Sequence, residues 1–200
     1  MSKVIGIVGS PRRNGNTANI VKKILEGATS LNFDTEIIYL SEMNFSACSG
    51  CEGCKNTFRC VVNDDMQKIY DLLDTSDGLV IGSPTYFYNV TSLTKAFLER
   101  LYCLDLFDPS DRSIWISKYE KTGLKTAAVI AVSEQNSAED MGVTSQIMSK
   151  SLEAVGFRVI KSENYLNLYE NTDFMKDDII LQSAYHIGIN LAKTINLKLK

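Results

Sequence analysis

Apolar residues recur along this chain in two rhythms that take turns. Val4-Ile5-Gly6-Ile7-Val8 is an unbroken apolar run of strand length, closed by Gly9, Ser10 and Pro11. Ile20, Val21, Ile24, Leu25 and Ala28 follow at helical spacing. The alternation continues with Thr35 to Leu40 as a strand, Asp65 to Leu73 as a short helix and Gly78 to Ile81 as a third strand. A helix follows from Thr91, with Leu93, Ala96, Phe97, Arg100 and Leu101 in register. Lys125 to Val132 predicts a fourth strand, Val143 to Val155 a helix, Arg158 to Tyr165 a fifth strand and Lys176 to Leu197 a terminal helix. Strands that are apolar throughout are buried on both faces, as in a parallel sheet covered by helices on each side. The pattern therefore predicts an α/β fold: a three-layer sandwich around a five-stranded parallel sheet, one domain over residues 1–200. Two segments stand outside the rhythm, a cysteine-bearing loop at 45–62 and an irregular excursion at 104–123. The excursion is expected to line a ligand mouth or a subunit contact, or to be an inert insertion.

Composition narrows the class. A hydrophobic content of 44% over 200 residues supports a sizeable core. The net charge of -3 comes from 21 basic and 24 acidic residues mixed along the chain, with no basic run to follow a phosphate backbone. Nucleic acid is excluded as a partner on that ground. No apolar run reaches the ~20 residues that span a bilayer, so no membrane association is expected. The opening MSKVIGIVGSP is too brief and wrongly flanked for a signal peptide, which predicts a cytoplasmic location with reduced thiols. There, clustered cysteines bind metal or do redox chemistry more often than they form structural disulfides.

Gly9-Ser10-Pro11-Arg12-Arg13-Asn14-Gly15-Asn16-Thr17 joins the first strand to the first helix, at the end of the sheet where open α/β proteins bind ligands. A phosphate needs donors from several directions. The first-turn amides, the side chains of Ser10, Asn14, Asn16 and Thr17 and the charge of Arg12 supply them, and Gly15 permits close backbone approach. The loop matches neither G-x-x-x-x-G-K-[ST] nor G-x-G-x-x-G, so triphosphate and dinucleotide readings lack their key residues. A polar turn capped by Asn16 or Thr17 is the plainer alternative.

GSPRRNGNT after the first strand, SPTYFYNV after the third and a compact cysteine motif after the second resemble the NAD(P)H-dependent FMN reductase family, in its iron-sulfur flavoprotein branch. The resemblance implies a flavodoxin-like fold with strand order 2-1-3-4-5, non-covalent FMN and a homodimer or homotetramer. With FMN as the ligand, Ser10, Arg12, Asn14, Asn16 and Thr17 would bind its phosphate; the resemblance sets Pro84, Thr85, Tyr86, Phe87 and Asn89 against the flavin. A flavin ring needs a flat apolar wall and backbone donors along its polar edge, which Tyr86, Phe87 and a loop stiffened by Pro84 can provide. The segment after the fourth strand, Ser133 to Gly142, is acidic and nearly free of glycine, and offers no basic partner for the 2′-phosphate of NADPH.

Cys48-x2-Cys51-x2-Cys54-x5-Cys60 sets four thiols in one short loop. Four thiolates suit a [4Fe-4S] cube, and Gly50 and Gly53 let amides approach the sulfurs. Zinc, which more often uses two well-separated C-x2-C pairs, and metal-free thiols or a redox disulfide remain open on spacing alone; the resemblance implies the cluster. Cys103 reads as a buried small hydrophobe, and Asp64 and Asp65 as carboxylates at a helix start. His186 stands in no catalytic pattern, which argues against a histidine-based hydrolase. Trp115 and Tyr119 either pack or cover the cofactor. Together these features predict an FMN-dependent oxidoreductase or electron-transfer flavoprotein with NAD(P)H as donor. The alternatives are an electron carrier or redox-sensing module reduced by ferredoxin or another small electron-transfer protein, and a cluster-less quinone or nitroaromatic reductase.

Overall fold

In a computed structural model, which describes residues 2–171 and 173–198, the elements follow as β1 (Lys3–Val8), α1 (Asn16–Thr29), β2 (Asp34–Tyr39), α2 (Met66–Thr75), β3 (Gly78–Pro84), α3 (Ser92–Arg100), β4 (Asp105–Phe107), β5 (Trp115–Ser117), α4 (Lys118–Thr122), β6 (Lys125–Val132), α5 (Thr144–Ala154), β7 (Phe157–Tyr165) and α6 (Asp178–Lys198). The central sheet runs β2-β1-β3-β6-β7 with every pairing parallel. This is the predicted 2-1-3-4-5 order; the numbers differ because β4 and β5 intervene.

The unbroken apolar strands resolve into two faces. Ile5, Ile7, Leu79, Ile81, Ala127 and Val129 pack with α2, α3 and α5. Val4, Val8, Val80, Ala128 and Ile130 pack with α1 and α6. Both faces are fully covered in the three inner strands, so both sets of positions must be apolar. β3 runs three residues past Ile81: Gly82, Ser83 and Pro84, which read as turn signals, pair with Ile130, Ala131 and Val132. This longer strand carries Pro84 to the edge of the sheet's ligand-binding end.

The excursion at 104–123 is not irregular. β4 and β5 form an antiparallel hairpin, and α4 follows with a capping box between Ser117 and Glu120. Asp108 accepts the N–H groups of Ser110 and Asp111, and Asp111 that of Ser113, closing the loop by local side-chain bonds. Three-residue strands are too short to show a period, which is why they escape a pattern-based reading. Among the described residues no helix is long and apolar enough to cross a membrane.

Candidate functional site

Four loops meet at the carboxyl ends of the inner strands around a cavity of ≈ 340 Å³. Ser10, Arg12 and Gly15 come from the β1–α1 loop and Asn16 and Thr17 from the start of α1; Pro84 ends β3, with Thr85, Tyr86 and Phe87 after it; Val132 ends β6, with Glu134 beyond it. Leu168, Tyr169 and Asn171, beyond β7, close the fourth side. Asn14 and Asn89 stand outside this lining, and the wall from β7 went unread in the sequence.

Gly15 is the N-cap of α1, in extended backbone (φ -78°, ψ 172°), and no side chain caps the helix. Its first-turn N–H groups therefore remain available to an anion. Ser10 Oγ accepts the Arg12 N–H at 3.1 Å, and Arg12 Nη1 donates to Asn171 Oδ1 at 3.2 Å. The Asn16 side chain is committed elsewhere: Nδ2 donates to the Glu170 carbonyl at 2.7 Å and Oδ1 accepts the Phe174 N–H at 3.1 Å. Those two bonds latch the fourth wall to α1.

Beneath the cavity a small buried hydroxyl network joins two loops. Thr91 Oγ1 donates to the Gly9 carbonyl at 2.6 Å, the Thr91 N–H donates to Ser83 Oγ at 3.2 Å, and Thr94 Oγ1 lies 2.9 Å from Thr91 Oγ1. A Cβ on Gly9 would fall 1.8 Å from Thr94 Oγ1, so only glycine permits this approach. Thr91 is legible as a helix N-cap in the sequence; its contact with Gly9 is not.

Tyr86 and Asn89 exchange backbone hydrogen bonds at 2.8 and 3.2 Å around Phe87 and Tyr88, whose φ values are 49° and 65°. Two positive φ values in a two-residue turn are the mark of type I′, usually built from Asn and Gly. With two aromatics it stores strain of order 1–3 kcal/mol per residue. Asn89 serves that turn through Oδ1, which accepts the Val90 N–H. The Val143 N–H holds the Tyr88 carbonyl at 3.0 Å, and a Cβ on Gly142 (φ +56°) would stand 2.2 Å from that carbonyl. The one glycine of the acidic segment is thus the one its contact with the turn requires. Phe87 is 96% exposed, while the Thr85 hydroxyl is buried without a partner.

A second cavity, ≈ 370 Å³, is lined by Cys48, Cys51, Cys54 and Cys60 together with Arg100 and Tyr102. All four are free thiols. The Gly50 N–H donates to Cys48 Sγ at 3.4 Å. The Gly53 N–H and the Ser49 side chain hold the Cys51 thiol below its usual value, whereas burial pushes Cys54 up. Among the described residues no three His, Cys, Asp or Glu side chains converge to hold a single metal ion.

Asp64 accepts the Met66 N–H at the start of α2, as a carboxylate there should, but its main partner is Arg100, at 2.7 and 3.0 Å. Burial pushes its carboxyl up; the guanidinium and nearby amides outweigh that and hold it below the usual carboxylate range. Cys103 is buried and outside the cavity, Tyr119 is buried in the core and Trp115 is half-exposed on the hairpin. A third cavity of ≈ 140 Å³ contains Asp105, whose carboxyl is pushed up to about 7 by burial and by Glu120.

Relatives and neighbours agree with this geometry. An iron-sulfur flavoprotein of Methanocaldococcus jannaschii is 38% identical over 98 residues, 49% of this chain and 51% of that one. The chain spans about half the length of the curated relatives it matches. A NAD(P)H:quinone oxidoreductase from Methanothermobacter marburgensis superposes with a TM-score of 0.73 at 16% identity, over 95% of this chain and 98% of its own. A flavodoxin from the domain Archaea does so at 0.61 and 16%, over 97% and 99%. These two likenesses establish a flavodoxin-like fold. Residues 2–167 match the family model described as NADPH-dependent FMN reductase, and the chain belongs to that family.

Proposed function

We propose that the chain binds FMN in the first cavity and acts as an oxidoreductase, with a [4Fe-4S] cluster on Cys48, Cys51, Cys54 and Cys60. One observation carries the reading: the uncapped start of α1 and the buried, unpartnered Thr85 hydroxyl line one cavity at the ends of β1 and β3. Bound there, FMN would supply two-electron chemistry at its ring, and the cluster single-electron transfer. Arg12 and the first-turn amides of α1 hold the phosphate charge, Ser10 and Thr17 add hydroxyls, and Thr85 gains the partner it lacks. Tyr86 and Phe87 form the apolar wall that orients the ring, and Tyr169 and Leu168 shield the opposite side from water.

The cysteine loop supports the cluster: four free thiols line one cavity, and four thiolates are what a four-iron cube takes. The name borne by the Methanocaldococcus relative points the same way. The exposed Ile114, Trp115 and Ile116 on the hairpin support assembly into a homodimer or homotetramer.

A second reading, a carrier reduced by ferredoxin instead of NAD(P)H, is favoured by the cavity's mouth. Arg12 is the one cation among the described residues of its lining and is tied to Asn171, while Glu134 stands exposed in the same lining. Anaerobic purification followed by an absorbance spectrum and flavin, iron, sulfide and zinc analysis tests the cofactors. Turnover with NADH or NADPH and an added acceptor supports the reductase; reduction by ferredoxin alone supports the carrier. Protein that takes up no flavin defeats both.

A further inference from the structure

Among the described residues three buried side-chain polar atoms lack a hydrogen-bond partner: Thr85 Oγ1, Arg100 Nε and Asp105 Oδ1. Each belongs to a residue lining a different cavity. A buried donor without an acceptor is costly, and in a cavity wall the missing partner is the occupant's to supply.

Arg100 is the most tightly held of the three. It ends α3, is 2% exposed and has spent both terminal nitrogens: Nη1 on Asp64 Oδ2 (2.7 Å) and the Ser46 carbonyl (2.9 Å), Nη2 on Asp64 Oδ1 (3.0 Å). That fork fixes the plane of the guanidinium, and with it the direction of the Nε–H bond. Arg100 lines the cysteine cavity and Asp64 does not. The positive member of the pair therefore stands at the thiols, with its counter-charge behind it. Four thiolates gather negative charge in one place, and adding an electron to whatever they hold increases it.

We infer that Arg100 sets the potential of the group held by the four cysteines: its Nε–H donates to a sulfur of that group, and its charge favours the form carrying one more electron. No bond is made or broken in that change; one electron enters from the reductant, NAD(P)H by way of FMN or ferredoxin directly. The inference rests on the cluster reading given above.

The test compares holoprotein of the parent, Arg100→Lys and the double variant Asp64→Asn/Arg100→Gln, which removes both charges so that neither is left buried alone. Lysine keeps the charge but has no Nε–H. FMN, iron and sulfide per chain are measured, and the cluster is titrated anaerobically with EPR detection. All three proteins should keep FMN and the cluster, with a midpoint potential that falls from the parent to the lysine variant to the double variant. Equal potentials in the cluster-bearing proteins would overturn the inference and leave the cluster reading standing. Loss of the cluster from the lysine variant with FMN retained would do the same, making Arg100 a fastening of the loop only. If the double variant fails to fold, the lysine variant decides by the same comparison. A parent that takes up FMN but neither iron nor sulfide would defeat the cluster reading and the inference with it.

Discussion

The phosphate loop and the cysteine loop hold their backbones in different ways. Between Gly9 and Thr17 no residue has positive φ; the loop is strung between β1 and α1 and pinned from below by Thr91. In the cysteine loop Gly50, Glu52, Asn56 and Phe58 have φ values of 68°, 54°, 67° and 53°, and no strand or helix crosses it. Three of those four are not glycine, so the loop's shape costs free energy that its fastenings must offset. The fastenings are side-chain bonds, some charged and some neutral. Arg100 and Asp64 tie its two ends together, and Gln67 Nε2 donates to the carbonyls of Cys60 and Val62. A single helix links the two sites: α3 starts beside Gly9 and ends at Arg100, nine residues or about 14 Å later. The sheet carries one site, and long-range side-chain bonds, a buried ion pair among them, carry the other.

The largest effect should appear where the backbone is held independently of the donors it presents. Arg12→Ala with Thr17→Ala removes a charge-assisted bond and a hydroxyl from the phosphate, a loss of about 3–4 kcal/mol, or roughly 10²- to 10³-fold in FMN affinity. The melting temperature of the FMN-free chain should not move. A flavin titration beside a thermal melt checks both, and unchanged affinity in a folded double variant would remove FMN from this loop.

Asp64→Ala probes the other side of the comparison. It leaves Arg100 buried without its counter-charge, which costs about 3 kcal/mol in a buried pair. Residues 45–62 should become open to protease while FMN affinity stays near the parent's. A variant that loses FMN as readily as it loses the cysteine loop would show that α3 transmits the damage, and that the sites are not separately supported.

This difference also decides how much could be read without coordinates. The order β2-β1-β3-β6-β7 follows from strands apolar on both faces, because burial of both faces is itself a sequence pattern. The loops after β1 and β3 announce themselves because they follow such strands. The wall from Leu168 to Asn171 does not, since it depends on Asn16 reaching residues more than 150 positions away. Arg100 was legible only as one residue of a helical repeat. Its pairing with Asp64 is a long-range contact between two charges that each have an ordinary local explanation. The turn at Phe87 and Tyr88 ran against its local signal, because tertiary contacts with Gly142 and Val143 override the preference for Asn and Gly.

Asn16→Ala sharpens the comparison within the first site. Both ends of the amide are used, one on Glu170 and one on Phe174, so its removal should cost about 1–2 kcal/mol of stability. FMN affinity should fall only a few-fold, because the wall loosens while the phosphate donors stay. Urea unfolding and a flavin titration separate this from a direct contact, in which affinity would fall by as much as stability.

The smallest effect belongs to Asp105, on the cysteine side of the molecule. Its carboxyl has an ordinary value of 3.8 and is pushed up to about 7 in the folded chain, first by burial and then by Glu120. Below pH ~4 both folded and unfolded chains hold the proton, and the residue contributes no pH dependence. Between pH ~4 and ~7 the folded chain keeps a proton that the unfolded chain has released, so stability falls as pH rises through that window. Above pH ~7 both states are ionised and the full cost of a buried charge is present. Partial exposure and solvent screening reduce that cost to about 1 kcal/mol. Asp105→Asn should abolish this part of the slope, leaving the variant more stable than the parent at pH 8 and level with it at pH 4. Urea midpoints of the FMN- and metal-free chains across that range measure the difference. Parallel curves for parent and variant would mean that the Asp105 carboxylate reaches water, and would remove the buried, unpartnered acid beside Cys54 from the comparison.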